Sequence, residues 1–186
     1  MTIYIYPGSF NPLHIGHLAI AQYVEERSKT GVIFEICNCP NDKNPVSAED
    51  LAKRVKQFTM LSRFVAITEN SSFLEKSTDK AVAQYLTTID MQLCYPKANI
   101  TFLVGADTIN RIDDIKYYCG SVREHVRAMS IFAARGVRFL VFPRKGHLTD
   151  NLSPDIMRLC EFVTNFESVN ISSTAIREAN KTQQVF

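Results

Sequence analysis

Two histidines, His14 and His17, stand three residues apart with Gly16 between them, directly after the run Pro7-Gly8-Ser9-Phe10-Asn11-Pro12. At that spacing the two imidazoles project to the same side of a helix's first turn. A helix start also offers unpaired backbone N–H groups and a partial positive charge. Gly8 removes a Cβ where a ligand must come close, and Gly16 keeps the surface between the histidines low. Together these features suit the oxygens of a polyphosphate. Each piece also has a plainer explanation: a glycine before a helix is commonly a turn, and paired histidines can ligate a metal or stand in solvent. Their coincidence where an apolar strand (residues 3–6) feeds a helix (residues 16–28) favours phosphate, because ligands bind at the carboxyl edge of a parallel sheet.

A second segment lies near the other end: Val169-Asn170-Ile171-Ser172-Ser173-Thr174-Ala175-Ile176-Arg177. Hydroxyls in a row at a helix start can cap it. They can also donate to phosphate oxygens, and Arg177, one turn on, would aim a guanidinium at the same place. The two roles are compatible.

Bringing these segments together requires a scaffold. The chain alternates apolar strands with helices, which predicts a single α/β domain over residues 1–186, a parallel sheet flanked by helices. Further strands are expected at residues 32–39, continuous and apolar as in a strand buried on both faces, and at 64–68, 100–104, 137–142 and 162–166. Helices are expected at residues 47–63, opened by a capping box at Ser47-Ala48-Glu49-Asp50, and at 79–90, 106–118, 122–135, 154–159 and 172–180. Gly31 reads as the stop of the first helix. Residues 69–78 are polar and read as a surface loop that could fold over a ligand.

The net charge is +2, too small to argue for a nucleic-acid or membrane partner. No stretch approaches the roughly 20 apolar residues of a membrane span, and the first strand begins without a charged leader. The expected location is the cytoplasm. Of five cysteines, Cys37, Cys94, Cys119 and Cys160 sit beside apolar residues and read as buried free thiols. Cys37 and Cys39 share a strand face, with no second Cys/His pair at zinc spacing, so no metal site is assigned. Asp113-Asp114 reads as a solvated pair. The basic stretch with Arg123, Arg127, Arg135, Arg138, Arg144 and Lys145 reads as a solvated face; Arg144, after the fifth strand, is the member expected near phosphate.

Gly8 to His17 and Ile171 to Arg177 resemble, in the right order and at the right ends, the two signatures of the nucleotidylyltransferase superfamily. Phe102-Leu-Val-Gly-Ala-Asp107 is similar to the strand-to-helix turn of its pyridine-nucleotide branch, where the Gly and Asp contact the nucleotide. The resemblance spans nearly the whole chain. It implies a Rossmann-like fold and transfer of AMP from ATP to a phosphate-bearing acceptor, a nicotinamide or nicotinate mononucleotide, with release of pyrophosphate. It implies His14, His17 and Arg177 as catalytic residues, and Gly8, Ser9, Phe10, Gly105, Asp107, Ser172, Ser173 and Thr174 at the nucleotide. Lys43, otherwise a solvated lysine beside Asp42, and Arg144 would serve the acceptor. Asp107 otherwise reads as the N-cap of its helix. Mg²⁺ would be held mainly by the ATP phosphates and water. A homo-oligomer is compatible with the sequence.

That branch often holds its pyridine ring with Trp. This chain has none, which leaves Phe73, Tyr117 or Tyr118 to stack. Alternatives are CTP as donor, a different acceptor as in pantetheine-phosphate adenylyltransferase, or a nucleotide-binding module without turnover. His14-Ile15-Gly16-His17 also spells the tetrapeptide of class I aminoacyl-tRNA synthetases, but the second signature loop and the tRNA-binding domain of those enzymes are missing.

Overall fold

The computed structural model describes residues 1–39, 44–89, 98–167 and 171–183. Six strands form one parallel sheet: β1 (Thr2–Pro7), β2 (Val32–Cys37), β3 (Phe64–Thr68), β4 (Asn99–Gly105), β5 (Arg138–Phe142) and β6 (Cys160–Phe162). Their spatial order is β3-β2-β1-β4-β5-β6. The side-chain period of two sorts the apolar residues into two layers. Ile3, Ile5, Ile33, Phe102, Val104, Phe139 and Val141 face α4 (Asp79–Thr88), α5 (Ala106–Asp113), α6 (Val122–Ala134) and α7 (Pro154–Met157). Phe34, Ile36, Leu103, Leu140 and Phe142 share a second cluster with α1 (Ile15–Ser28) and α2 (Ala48–Thr59). Burial on both faces explains the continuous apolar run of β2.

The order reverses beside β1. The chain leaves β1 for β2 and β3 on one side, then returns to place β4 on the other. The connections after β1 and β4 therefore diverge and open a crevice at the carboxyl ends of those strands. Both strand-to-helix turns singled out in the sequence, at Gly8 and Gly105, lie there.

Several boundaries differ from expectation. Lys29, not Gly31, takes the left-handed position that ends α1, with φ 56° and its N–H on Glu25 O at 3.0 Å. The helix expected over 106–118 breaks after Asp113 and resumes as a 3₁₀ turn, Ile115–Tyr118, capped by the Asp114 carboxylate. The last strand is Cys160–Phe162, earlier than residues 162–166, because Phe166 is used instead in edge-on packing against Tyr23 and Phe142. Ser47 caps α2 by accepting from Asp50 N at 3.2 Å.

The polar segment 69–78 is not a free surface loop. It contains α3 (Phe73–Lys76), opened by a reciprocal capping box between Ser72 and Glu75. Lys76 is only 4% exposed, and its Nζ donates to Glu35 Oε1 and to Asn70 O, both at 2.6 Å. Thr68 also donates to Glu35 Oε1. Glu35 itself is fully buried in the middle of β2, so this ion pair pins the segment to the sheet. Phe73, a stacking candidate, packs edge-on against Phe102 and Phe139 at 5.0 and 5.9 Å and belongs to the core.

Nor is Asp113 a solvated residue. Its carboxylate bonds His125 Nε2 at 2.8 Å and accepts from Ser153 Oγ and N at 2.6 Å, tying α5 to α6 and to the start of α7. Arg135 and Arg138, expected in solvent, donate to Leu74 O and Ser77 Oγ and to Arg158 O respectively. Of the four cysteines among the described residues, all free, Cys37 and Cys160 are half-buried and Cys39 and Cys119 exposed. The expectation of buried thiols is therefore corrected for Cys119, and Cys94 lies outside the described residues.

Candidate active site

His14 is the N-cap of α1, in an extended conformation, and His17 sits at the third helical position. The His14 backbone N–H donates to His17 Nδ1 at 3.3 Å. That bond leaves the proton of the neutral ring on Nε2, free to donate outward. The two imidazoles stack with centroids 3.6 Å apart. Burial, His14 and the Arg144 guanidinium push the His17 pKa down to about 3. Burial and Arg144 also lower that of His14. Both rings are thus neutral donors at neutral pH.

The residues around them do different work from that expected. The space beside the Gly8 Cα is filled by the Phe10 ring, which a Cβ there would meet at 2.6 Å, and Gly8 N–H is bonded to Glu35 O at 2.9 Å. Gly8 therefore serves a close approach within the chain, that of the Phe10 ring. Phe10 is 1% exposed and packs edge-on against His17, Phe34 and Phe58. Its side chain is core, so only its backbone can meet a ligand. It adopts φ 44°, a strained value for a non-glycine residue, of the sort found where a site dictates the backbone. At Gly16, a Cβ would lie 3.1 Å from the His14 ring and 3.2 Å from Ile171. That glycine lets the start of α8 (Ser173–Gln183) approach the histidine helix.

The second segment does arrive beside the first. Ser172 caps α8 through Ala175 N at 3.1 Å. Ser173 Oγ donates to Pro12 O at 2.8 Å. Arg177 donates to Asn11 O at 2.5 Å and to Thr174 Oγ1 at 3.1 Å. Capping and helix-to-loop bonds thus account for much of this cluster, while Thr174 and Arg177 are exposed. Gly105 ends β4 and is itself the N-cap of α5, correcting the expectation that Asp107 caps it. Asp107 pairs with Arg144 at 2.8 Å. Its other oxygen, Oδ1, is buried without a hydrogen-bond partner and would lie 2.8 Å from a Cβ at Gly105. Of the remaining stacking candidates, Tyr118 donates to Ile112 O at 2.7 Å, and Tyr117 is 39% exposed. Lys43 lies outside the described residues.

Arg54, whose region resembles the pyridine-nucleotide branch only loosely, donates to Ser9 O at 3.3 Å. One residue was not foreseen: Gln57 bonds both Phe10 O and Leu13 N, and it has no sequence signal beyond membership of an amphipathic helix.

Among the described residues no three His, Cys, Asp or Glu side chains converge on one point, and the Asp107 carboxylate is paired with Arg144. Among the described residues, too, no helix is long and apolar enough to cross a membrane.

The family model described as cytidylyltransferase-like matches residues 5–179, so it embraces both signature segments and the sheet between them. The chain belongs to this family. Two relatives are named "Probable nicotinate-nucleotide adenylyltransferase". That of Bacteroides thetaiotaomicron is 30% identical over 186 residues, covering 94% of this chain and 79% of the relative. That of Carboxydothermus hydrogenoformans is 29% identical over 181 residues, covering 94% and 83%. Among solved structures, the nicotinic acid mononucleotide adenylyltransferase of Plasmodium falciparum complexed with NaAD aligns with a TM-score of 0.57 at 18% identity. It covers 98% of this chain and 89% of the other, and it supports the Rossmann-like assignment of the fold.

Proposed function

We propose that this chain transfers AMP from ATP to a pyridine mononucleotide, nicotinate mononucleotide before nicotinamide mononucleotide, and releases pyrophosphate. The observation that carries this reading is the meeting of His14, His17, Arg177 and the Gly105–Asp107 turn at the β1/β4 switch point of a cytidylyltransferase-like chain. The names of the relatives supply the acceptor.

An oxygen of the acceptor phosphate attacks the α-phosphorus in line. The new P–O bond forms as the bond to the β-phosphate oxygen breaks, and pyrophosphate leaves with the electron pair. The nucleophile is already an anion, so no general base is required. The obstacle is charge repulsion, and the protein's contribution is positioning and preorganised donors. In this reading His14 and His17 donate to the α- and β-phosphates, and Thr174, Arg177 and Ser173, the last through its backbone N–H or by giving up its bond to Pro12 O, hold the β- and γ-phosphates. The backbone of Gly8 to Phe10 borders the polyphosphate, and Ser172 orients α8. Gly105 and Asp107 meet ribose or base. Arg144, released from Asp107 or shared with it, and Lys43 serve the acceptor phosphate. Magnesium, held by phosphates and water, would neutralise part of the triphosphate charge. Tyr117, partly exposed with Arg111 and Lys116 beside its ring, is the remaining candidate for stacking on the pyridine. The expected location is cytoplasmic.

Pyrophosphate release with ATP is the decisive assay. The acceptor panel comprises both pyridine mononucleotides, phosphopantetheine, and simple sugar and alcohol phosphates. Turnover is expected with nicotinate mononucleotide. Turnover with another acceptor and neither pyridine nucleotide would reject the acceptor, and ATP binding without turnover on the whole panel would favour a binding module. The donor is tested separately. Melting with Mg²⁺ and matched ATP, CTP or GTP should show the largest rise with ATP; a larger rise with CTP would reverse the choice.

A further inference from the structure

The loop from Gly8 to Leu13 carries the chain from β1 to the histidine helix. Four successive carbonyls in it are each met by a side chain from another element. Ser9 O accepts from Arg54 at 3.3 Å, Phe10 O from Gln57 Nε2 at 3.1 Å, Asn11 O from Arg177 at 2.5 Å and Pro12 O from Ser173 at 2.8 Å. Gln57 makes a second bond as well, accepting from Leu13 N at 2.8 Å through Oε1. One half-buried carboxamide on α2 thus spans the loop, donating at one end and accepting at the other.

The two peptide groups it holds bear directly on the histidines. Leu13 precedes the N-cap His14, and the ring of Phe10 lies against that of His17 with centroids 5.0 Å apart. Among unbranched side chains of this reach only the carboxamide combines this donor and acceptor: Glu as a carboxylate lacks the N–H, Lys and Arg lack the acceptor, and Met lacks a strong version of either. Gln57 is separated from the histidines in sequence, and its carboxamide bonds backbone groups: Leu13 N, Phe10 O and, within its own helix, Arg54 O.

We propose that Gln57 is a positioning residue for the transfer step, fixing the Phe10–Leu13 loop so that His14 and His17 meet the phosphates where charge develops. The inference rests on the nucleotidyl-transfer reading. A misplacement of about 1 Å at a reacting centre can cost ~10²-fold in rate, and neither histidine needs to be altered for that loss to appear.

Gln57→Met preserves length and bulk while deleting both bonds to the loop, together with the bond to Arg54 O within the helix. Steady-state pyrophosphate release, measured with ATP and the best acceptor of the wild type, should show kcat reduced by ~10- to 100-fold. The KM for the acceptor should stay within about twofold, since the acceptor is not bound through this loop. The melting temperature should fall by only a few degrees, about what the loss of these partly exposed bonds brings. Lys56→Met, on an exposed position of the same helix, should retain the wild-type kcat. If Gln57→Met does not fold, Gln57→Asn, one methylene too short to span the loop, is scored by the same criterion. A kcat within about twofold of wild type, even with a lowered melting temperature, would reduce Gln57 to a structural role and overturn the proposal. A wild-type protein inert on every acceptor would overturn the transfer reading and this inference with it, whereas active wild type with equally active Gln57→Met overturns this inference alone.

Discussion

Replacing His17 with alanine or asparagine is expected to lower kcat by ~10²–10³, the loss that follows removal of one preorganised donor to developing charge, about 2.7–4 kcal/mol. The geometry says why this ring should carry so much. Its Nδ1 is occupied by the His14 N–H at 3.3 Å, so the Nε2–H is held in one tautomer and one direction. Its pKa of about 3 in the free protein keeps it neutral, so it donates without first losing or gaining a proton. That depressed value also sets a sign for stability. Between about pH 3 and the ordinary value of 6.5 the unfolded chain binds the proton and the folded one does not, so His17 favours unfolding as pH falls through that window. Circular dichroism should show the variants folded, with a modest loss from the ring's contacts with Phe10 and Tyr6. Turnover near the wild-type value would remove His17 from the mechanism.

Lys76→Ala should be the most damaging single change outside the site, destabilising the protein by about 3–5 kcal/mol, because it strands the Glu35 carboxylate without its cation. The side chains of Lys76 and Glu35 are 5% and 1% exposed, so water cannot replace the lost partner. With total stabilities of about 5–15 kcal/mol for ordinary domains, the variant should unfold at much lower urea. The same change frees α3, which Lys76 also anchors through Asn70 O. The double replacement of Glu35 by Leu and Lys76 by Met removes both charges together, and should recover most of the loss or exceed wild type. A double variant no more stable than Lys76→Ala would show that the charge imbalance is not the cause.

The crevice was legible because its chemistry is local. A glycine turn, two histidines at a helical spacing and a hydroxyl-rich helix start each occupy a few consecutive residues, and helix geometry alone directs their side chains. Strand and helix alternation is equally local, which is why β1 to β5 lie where the apolar runs are. Misassignments fell where a residue answers to a distant neighbour. A serine- and threonine-rich stretch reads as solvated, yet Lys76 within it is buried because Glu35, 41 residues earlier, waits under it. Asp113 reads as solvated beside Asp114, yet Ser153 and His125 enclose it.

By itself the sequence determined the parallel α/β class and most of the strand-to-helix junctions, which follow from periodicity, and it singled out the residues proposed to handle phosphate by their short spacings and their resemblance to the two family signatures. Only the tertiary structure decided what each residue spends its bonds on. Gly8 makes room for Phe10; Gly16 admits Ile171; Asp107 is matched by Arg144; and Gln57 bridges the loop before the histidines. The physical reason is that a hydrogen bond or a close contact needs a partner within a few ångströms, and in a parallel sheet that partner is brought in by a crossover whose register no local pattern records.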